Sequence, residues 1–108
     1  MKRQIKFRAK NNRTGEWEYF TLKQVWEFHA LIDWDTVGQS FGLNDKQGHE
    51  MYEGDILKYH NGRLSVPLEF PKDYLWLKAR TEVRHWRTDI EVIGNRYDNP
   101  ELLQRDSL

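Results

Sequence analysis

Cysteine is absent from this 108-residue chain. That excludes disulfide cross-links, iron–sulfur clusters, cysteine-ligated zinc and a thiol nucleophile. Long apolar runs are absent as well. No stretch approaches the roughly 20 residues of a membrane span, and "MKRQIKFRAK" has no apolar core of signal-peptide length. The expectation is a cytoplasmic protein with no membrane partner. The Asn12-Arg13-Thr14 triplet fits a glycosylation acceptor only in a secreted chain and is set aside. No Pro/Ser-rich linker, internal repeat or low-complexity segment divides the sequence. Its length suits one domain, residues 1–108, with one modest core.

Charge of one sign is missing locally. Residues 1–13 carry six basic side chains and no acidic one, residues 14–57 sum to −7, and residues 58–108 to +1, for a net charge of zero. A dedicated nucleic-acid binder usually shows a basic excess, which this chain lacks. The segregation still leaves room for a local basic site, and for head-to-tail attraction between copies.

Aromatic residues are plentiful. Five Trp, five Tyr and five Phe make up 14% of a chain that is only 38% hydrophobic. Rigid rings bury much area at little side-chain entropy, so the core is expected to be small and aromatic-rich.

The local patterns are mostly β. Ile5, Phe7 and Ala9 alternate with Gln4, Lys6, Arg8 and Lys10. After the turn formers "NNRTG", Trp17 and Tyr19 alternate with Glu16 and Glu18. This predicts an N-terminal β-hairpin with Lys6, Arg8 and Lys10 matched to Glu16 and Glu18 on its outer face. Thr21 and Gln24 have capping-box spacing, and Leu22, Val25, Trp26 and His29 share a helical face, predicting a short helix near residues 21–31. A strand is expected from Asp35 or Thr36 to Phe41, followed by a loop over "GLNDKQGHE". Asp33 and Asp35 resemble the start of a calcium loop, but Asn44 stands where that loop needs its last carboxylate.

In "EMYEGDILKYHNG", Ile56 to Tyr59 read as a strand. Asn61-Gly62 predicts a two-residue type I′ hairpin, placing Tyr59 opposite Leu64 and Leu57 opposite Val66. Pro67 conflicts with that ladder, because it has no N–H to donate. Either the ladder ends or bulges before it, or the loop is longer than two residues. Residues 71–88 fit either strands turning near Arg80–Glu82 or a helix from Asp73. "DIEVIGN" reads as a strand that stops at Gly94-Asn95. "DNPELL" reads as a helical turn with Asn99 as cap and Pro100 at the first position.

The chemistry-bearing residues support no reaction motif. Glu53 and Asp55, flanking Gly54, are a candidate acid–base or metal pair. The structural alternative is that Gly54 supplies an unusual backbone angle while Asp55 accepts main-chain N–H bonds in the turn; that reading is preferred. His29, His49, His60 and His85 lack the spacing of about three to five residues seen in metal sites. His29 reads as a packed, hydrogen-bonded side chain, and His49 and His60 as loop residues. Ser40, Ser65 and Ser107 lie in no nucleophile motif. No cofactor, metal or catalytic residue is assigned, and a non-enzymatic role is expected. Lys2, Arg3, Lys6, Arg8 and Arg13 form a candidate phosphate-binding arm, the alternative being a solvated strand face. Trp26, Trp34, Trp76 and Trp86 are candidate binding aromatics; a ring beside Arg80, Arg84 and Arg87 could stack on a base or fill a neighbour's pocket.

Three blocks together resemble the YopX family of phage and prophage proteins. They are "IKFRAK" with its following turn and aromatic strand, "FGLNDKQGHEMYEGDILKY", and "IEVIGNRYDNPELL". The second is similar to the family's Thr-Gly-Leu-x-Asp-x-x-Gly-x-x-Ile-Tyr-Glu-Gly-Asp-Ile pattern, with Ser40-Phe41 and Met51 as departures. The resemblance implies a mainly β, small barrel-like (SH3-like) domain with an N-terminal β-hairpin, one short helix and a C-terminal helical turn. It also implies expression in a bacterial host and assembly of several copies. It marks Tyr52, Glu53, Gly54, Asp55, Gly94, Asn95, Asn99 and Pro100 as structural motif residues, and it transfers no activity. The expected partners are further copies of the chain and a host or phage protein, with nucleic acid as the alternative.

Overall fold

A computed structural model describes residues 4–82 and 90–106. The chain is mainly β, with antiparallel pairing wherever the register is defined. It divides into two compact units, Met1–Ser40 and Phe41–Leu108, with the boundary inside one long strand. Among the described residues the strands form two open sheets that do not close into a barrel, and the expected small, mainly β domain is what the chain folds into.

In the first unit, β1 (Lys6–Asn11) lies between β2 (Trp17–Thr21) and the start of β3 (Ile32–Asn44). Turn chemistry sets the hairpin. The Asn11 side-chain oxygen accepts the N–H groups of Arg13 and Thr14, and Asn11 N–H donates to Glu16. That loop length pairs Lys10 with Trp17, Arg8 with Tyr19 and Ala9 with Glu18. The expected match of Lys6, Arg8 and Lys10 to Glu16 and Glu18 is therefore off by one residue, and a one-residue change moves every side chain to the other face. Phe7, Ala9 and Phe20 share the inner face with Ile32, and Phe20 stacks on Phe28 at 5.1 Å.

The helical segment is shorter than expected. A 3-10 turn, Leu22–Gln24, leads into α1 (Val25–Phe28). Gln24 Oε1 accepts from the Thr21 main chain, as the spacing suggested. The buried side is Val25 and Phe28, whereas Leu22 and Trp26 are exposed. β3 starts earlier and ends later than expected. Its register against β1 shifts between Arg8 and Lys10, and Thr36 Oγ1 accepts the Lys10 N–H at 2.8 Å within this bulge. Asp33 Oδ1 accepts the Asp35 N–H there, so this acidic pair shapes a bulged strand.

The second unit contains the end of β3, β4 (Glu50–Tyr52), β5 (Asp55–Tyr59), α2 (Tyr74–Glu82), β6 (Ile90–Asn95) and α3 (Glu101–Asp106). β4 neighbours β3, and β5 pairs with β6. Phe41, Met51, Leu57, Leu68, Leu77 and Ile90 form its core, each stabilising by about 1.5–3 kcal/mol when fully buried. Helix wins over strand after Asp73. The Asp73 carboxylate binds the Glu69 N–H and the Trp76 indole N–H at 2.8 Å each, and Leu77 enters the core.

The Asn61-Gly62 hairpin is not the two-residue type I′ turn but takes the longer loop that Pro67 left open, with a changed register. Gly62 alone takes a left-handed φ, +87°; Asn61 does not, so no type I′ turn forms. Tyr59 N–H donates to Arg63, and Lys58 bridges Leu64, giving a three-residue loop. Val66 is consequently exposed and Ser65 buried. Leu57 N–H donates to the Ser65 hydroxyl instead of a main-chain carbonyl. Contact then resumes one residue out of step at Leu68, whose N–H donates to Asp55. Pro67, with no donor, falls inside the slip.

Candidate binding surfaces

The second and third YopX-like blocks fasten to one another through a main-chain bond. Gly54 has φ +90°, a conformation costly for any residue with a Cβ, and a Cβ there would also meet the Tyr97 ring at 3.3 Å. Gly54 accepts from Arg96 N–H and donates to Leu68. Asp55, 1% exposed, accepts the Tyr52 N–H at 2.8 Å, and Glu53 accepts the Phe70 N–H at 3.1 Å. Both carboxylates thus bind main-chain amides, Asp55 within the turn and Glu53 across to Phe70.

On the facing strand, Asn95 Oδ1 accepts from Tyr97 and Asp98, and Asn95 N–H donates to Asn99 Oδ1. The Asn99 side chain therefore faces back to β6. The Asn99 main-chain carbonyl accepts the Leu102 N–H where α3 begins, and a Cβ on Gly94 would lie 2.5 Å from the Asn99 side-chain oxygen. Pro100 accepts from Leu103 N–H in the turn that opens α3.

Sequence reasoning missed the hub at the other end of β6. Asp45, 5% exposed, accepts N–H bonds from Gln47 and His49 through one oxygen and from Val92, 47 positions away, through the other. The signal available was its position in "GLNDKQG", where an acid before a glycine turn commonly binds nearby amides. The exposed His49 ring lies 3.7 Å from the Asp45 carboxylate. Among the described residues, no group of three or more His, Asp or Glu side chains gathers as a metal site. A shallow depression of about 440 Å³ is lined by Tyr59, His60, Arg63, Leu64 and Val66 among others.

The basic arm is only partly assembled. Lys2 and Arg3 lie outside the described residues. Arg13 is exposed in the hairpin turn rather than on the strand. Lys6, Arg8 and Lys10 do share a face, and their neighbours there are Trp17 and Tyr19. The Arg8 guanidinium sits 4.4 Å from the centre of the Trp17 ring, and Lys10 Nζ 5.3 Å. Arg8 is 7% exposed, so it braces the sheet more than it faces solvent.

Of the candidate tryptophans, Trp76 is half-buried against the second core, and Trp86 lies outside the described residues together with Arg84, Arg87, His85 and the side chain of Arg80. Trp26 and Trp34 are 81% and 54% exposed. They are not loose. The His29 ring meets Trp26 edge-on at 5.4 Å and its Nδ1 lies 2.8 Å from the Trp26 carbonyl, while the Trp34 indole donates to the His29 carbonyl at 2.9 Å. His29 is therefore exposed and hydrogen-bonded, where a packed position was expected. Leu22 and Leu31, also exposed, flank this group along the chain.

Fold and sites together define a small, mainly β protein. The polar side chains of its distinctive blocks hold main chain, and two of its large exposed rings, Trp26 and Trp34, are tied to His29 beside a short helix. The family model described as YopX protein matches residues 2–104, and the chain belongs to the YopX family. No curated protein matches it. Among the described residues, no helix is long and apolar enough to cross a membrane.

Proposed function

We propose that this YopX-family chain is a non-catalytic phage or prophage accessory protein, working in the bacterial cytoplasm as a self-associating binding module. The observation that carries this reading is the aromatic surface of the first unit. Two tryptophans held in fixed orientation in water, with leucines beside them, are the composition of an interface centre rather than an ordinary surface. The use of Asp45, Glu53, Asp55 and Asn95 as main-chain acceptors supports the non-catalytic part. The test is light scattering on the purified chain across a concentration series. A mass above the 13.1 kDa monomer that grows with concentration is expected. A strict monomer at high micromolar concentration overturns the reading.

One observation favours a second reading, nucleic-acid binding: Lys6 and Lys10 share the hairpin face with Trp17 and the exposed ring of Tyr19, combining phosphate-pairing charge with a stacking platform. It predicts oligonucleotide affinity that falls steeply with salt. No binding at low ionic strength removes it.

A further inference from the structure

Among the described residues, five of the eight exposed large hydrophobics, Ile5, Leu22, Trp26, Leu31 and Trp34, are each at least 46% exposed and belong to the first unit; Tyr19 lies on the hairpin opposite Arg8, and Val66 and Leu75 belong to the second unit. Hydrogen bonds and a ring contact tie the segments of those five together. Leu22 N–H donates to the Ile5 carbonyl, Leu22 and Trp26 stand four residues apart on one helical segment, and Leu31 N–H donates to Phe28. Trp34 is tied to His29, which is packed on Trp26. From these exposures and the ~150–250 Å² of a large ring, the patch offers roughly 500 Å². That is at the upper end for a monomer, and with a polar rim it approaches the ~800 Å² per partner of a standard interface.

The charges beside the patch suit a second copy. Lys23 follows Leu22, and Glu27 follows Trp26. Neither makes an ion pair among the described residues. The segment thus repeats apolar–basic, then apolar–acidic, at a spacing of four. Two such segments laid antiparallel about a two-fold axis near Gln24 and Val25 bring Leu22 against the partner's Trp26. The same operation brings Lys23 against the partner's Glu27, twice. A self-complementary patch is what an isologous dimer requires.

We propose that Leu22, Trp26 and Trp34 form a two-fold interface with a second copy of this chain, closed by reciprocal Lys23–Glu27 pairs. The inference rests on the self-association reading and names its surface. Because the area is modest, dissociation is expected in the micromolar range.

Sedimentation equilibrium on the full chain tests it, with circular dichroism confirming that each variant folds. Trp26→Ala with Trp34→Ala should raise the dimer dissociation constant by about 100-fold or more, since each residue acts twice across the axis. Lys23→Glu alone, or Glu27→Lys alone, should raise it by about tenfold or more through like charges brought together. The double exchange K23E/E27K should return it to near the wild-type value, and mixing the two single variants should give a heterodimer. If the wild type associates but these variants leave it unchanged, the surface is wrong and self-association stands. Single reversals that weaken association with no rescue by the exchange overturn the two-fold arrangement. A monomeric wild type removes both readings.

Discussion

Replacing Gly94 with alanine tests how the last YopX-like block is closed. Gly94 lies in β6 opposite Ile56, and its φ is not left-handed, so the backbone itself accepts alanine. Alone, that change should stabilise by roughly 0.5–1 kcal/mol. Space opposes it. A Cβ would stand 2.5 Å from Asn99 Oδ1, 2.7 Å from its Cγ and 3.0 Å from its Cβ. The oxygen can rotate away, but it then abandons the part-buried Asn95 N–H it accepts at 3.2 Å. An unsatisfied amide of that kind costs about 1–3 kcal/mol. The Asn99 Cβ cannot rotate away. It moves only if the turn moves, and the turn is held by Asn99 N–H to the Asn95 carbonyl and by the Asn95 side chain on Tyr97 and Asp98. Forcing extra volume into such a site costs about 1–3 kcal/mol. The net expectation is a loss of about 2–4 kcal/mol, a large part of the ~5–15 kcal/mol typical of a domain.

The assay is urea unfolding followed by tryptophan fluorescence. The control is Asn99→Gly, which deletes all three clashing atoms at a cost of about 1–2 kcal/mol for the lost hydrogen bond and the added chain entropy. In that background Gly94→Ala should cost almost nothing, giving a coupling energy of about 2–4 kcal/mol between the sites. A Gly94→Ala protein within about 0.5 kcal/mol of wild type, or strictly additive variants, refutes the steric account.

Asp45→Ala should destabilise by about 3–5 kcal/mol, because three amides lose a buried carboxylate; the Val92 amide should exchange with deuterium faster than other β6 amides, and unchanged protection there contradicts the hub. Gly54→Ala should cost at least about 1–2 kcal/mol from its left-handed φ alone, and a thermal midpoint equal to wild type argues against that turn. The exposed Lys72 ammonium is held above its ordinary pKa of 10.5, first by its hydrogen bond to Glu69 and then by the charges of Glu69 and Asp73. A pKa raised in the folded state contributes stability below the unfolded value that is lost as pH climbs through the folded one. An NMR titration of Lys72 should therefore place its midpoint above that of an ordinary lysine and lower it in Glu69→Gln, where only the Asp73 charge still raises it; equal midpoints in both proteins dismiss the contact.

Most strands were legible because their cues are local. Alternation marked β1, β2 and β5, β-branched residues marked β6, and Gly54 between acids marked a bend. Register was not legible, because it depends on loop length to a single residue. Around Asn61-Gly62 the dipeptide suggested a two-residue turn, yet only Gly62 adopts the left-handed angle, and the third loop residue moved Val66 out and Ser65 in. The hairpin of β1 and β2 went the same way. Complementary charges invited pairing of Lys6, Arg8 and Lys10 with glutamates, but exposed pairs are worth a few tenths of a kcal/mol. Burying Phe7, Ala9 and Phe20 on one face is worth several, so the apolar register prevails. Asp45 was hidden for another reason. Its partner Val92 is 47 positions distant, beyond any local pattern.

The YopX-like blocks and the proposed interface fall on different parts of the chain, and this bears on what family membership can say about function. Tyr52, Glu53, Gly54, Asp55, Gly94, Asn95 and Asn99 take part in the β5–β6 pairing and the turns beside it, and Asp45 reaches the same strand from the other end. A change at these positions acts first on stability, through lost amide bonds or a blocked approach. Trp26, Trp34 and Leu22 lie between the first and second blocks and fasten little, so truncating them should leave folding nearly intact while changing association. Stability and binding are therefore separable in this protein. A Trp26→Ala variant that keeps its unfolding midpoint and loses its partner, beside a Gly94→Ala variant that keeps its partner wherever it remains folded, is the pair of outcomes this division requires.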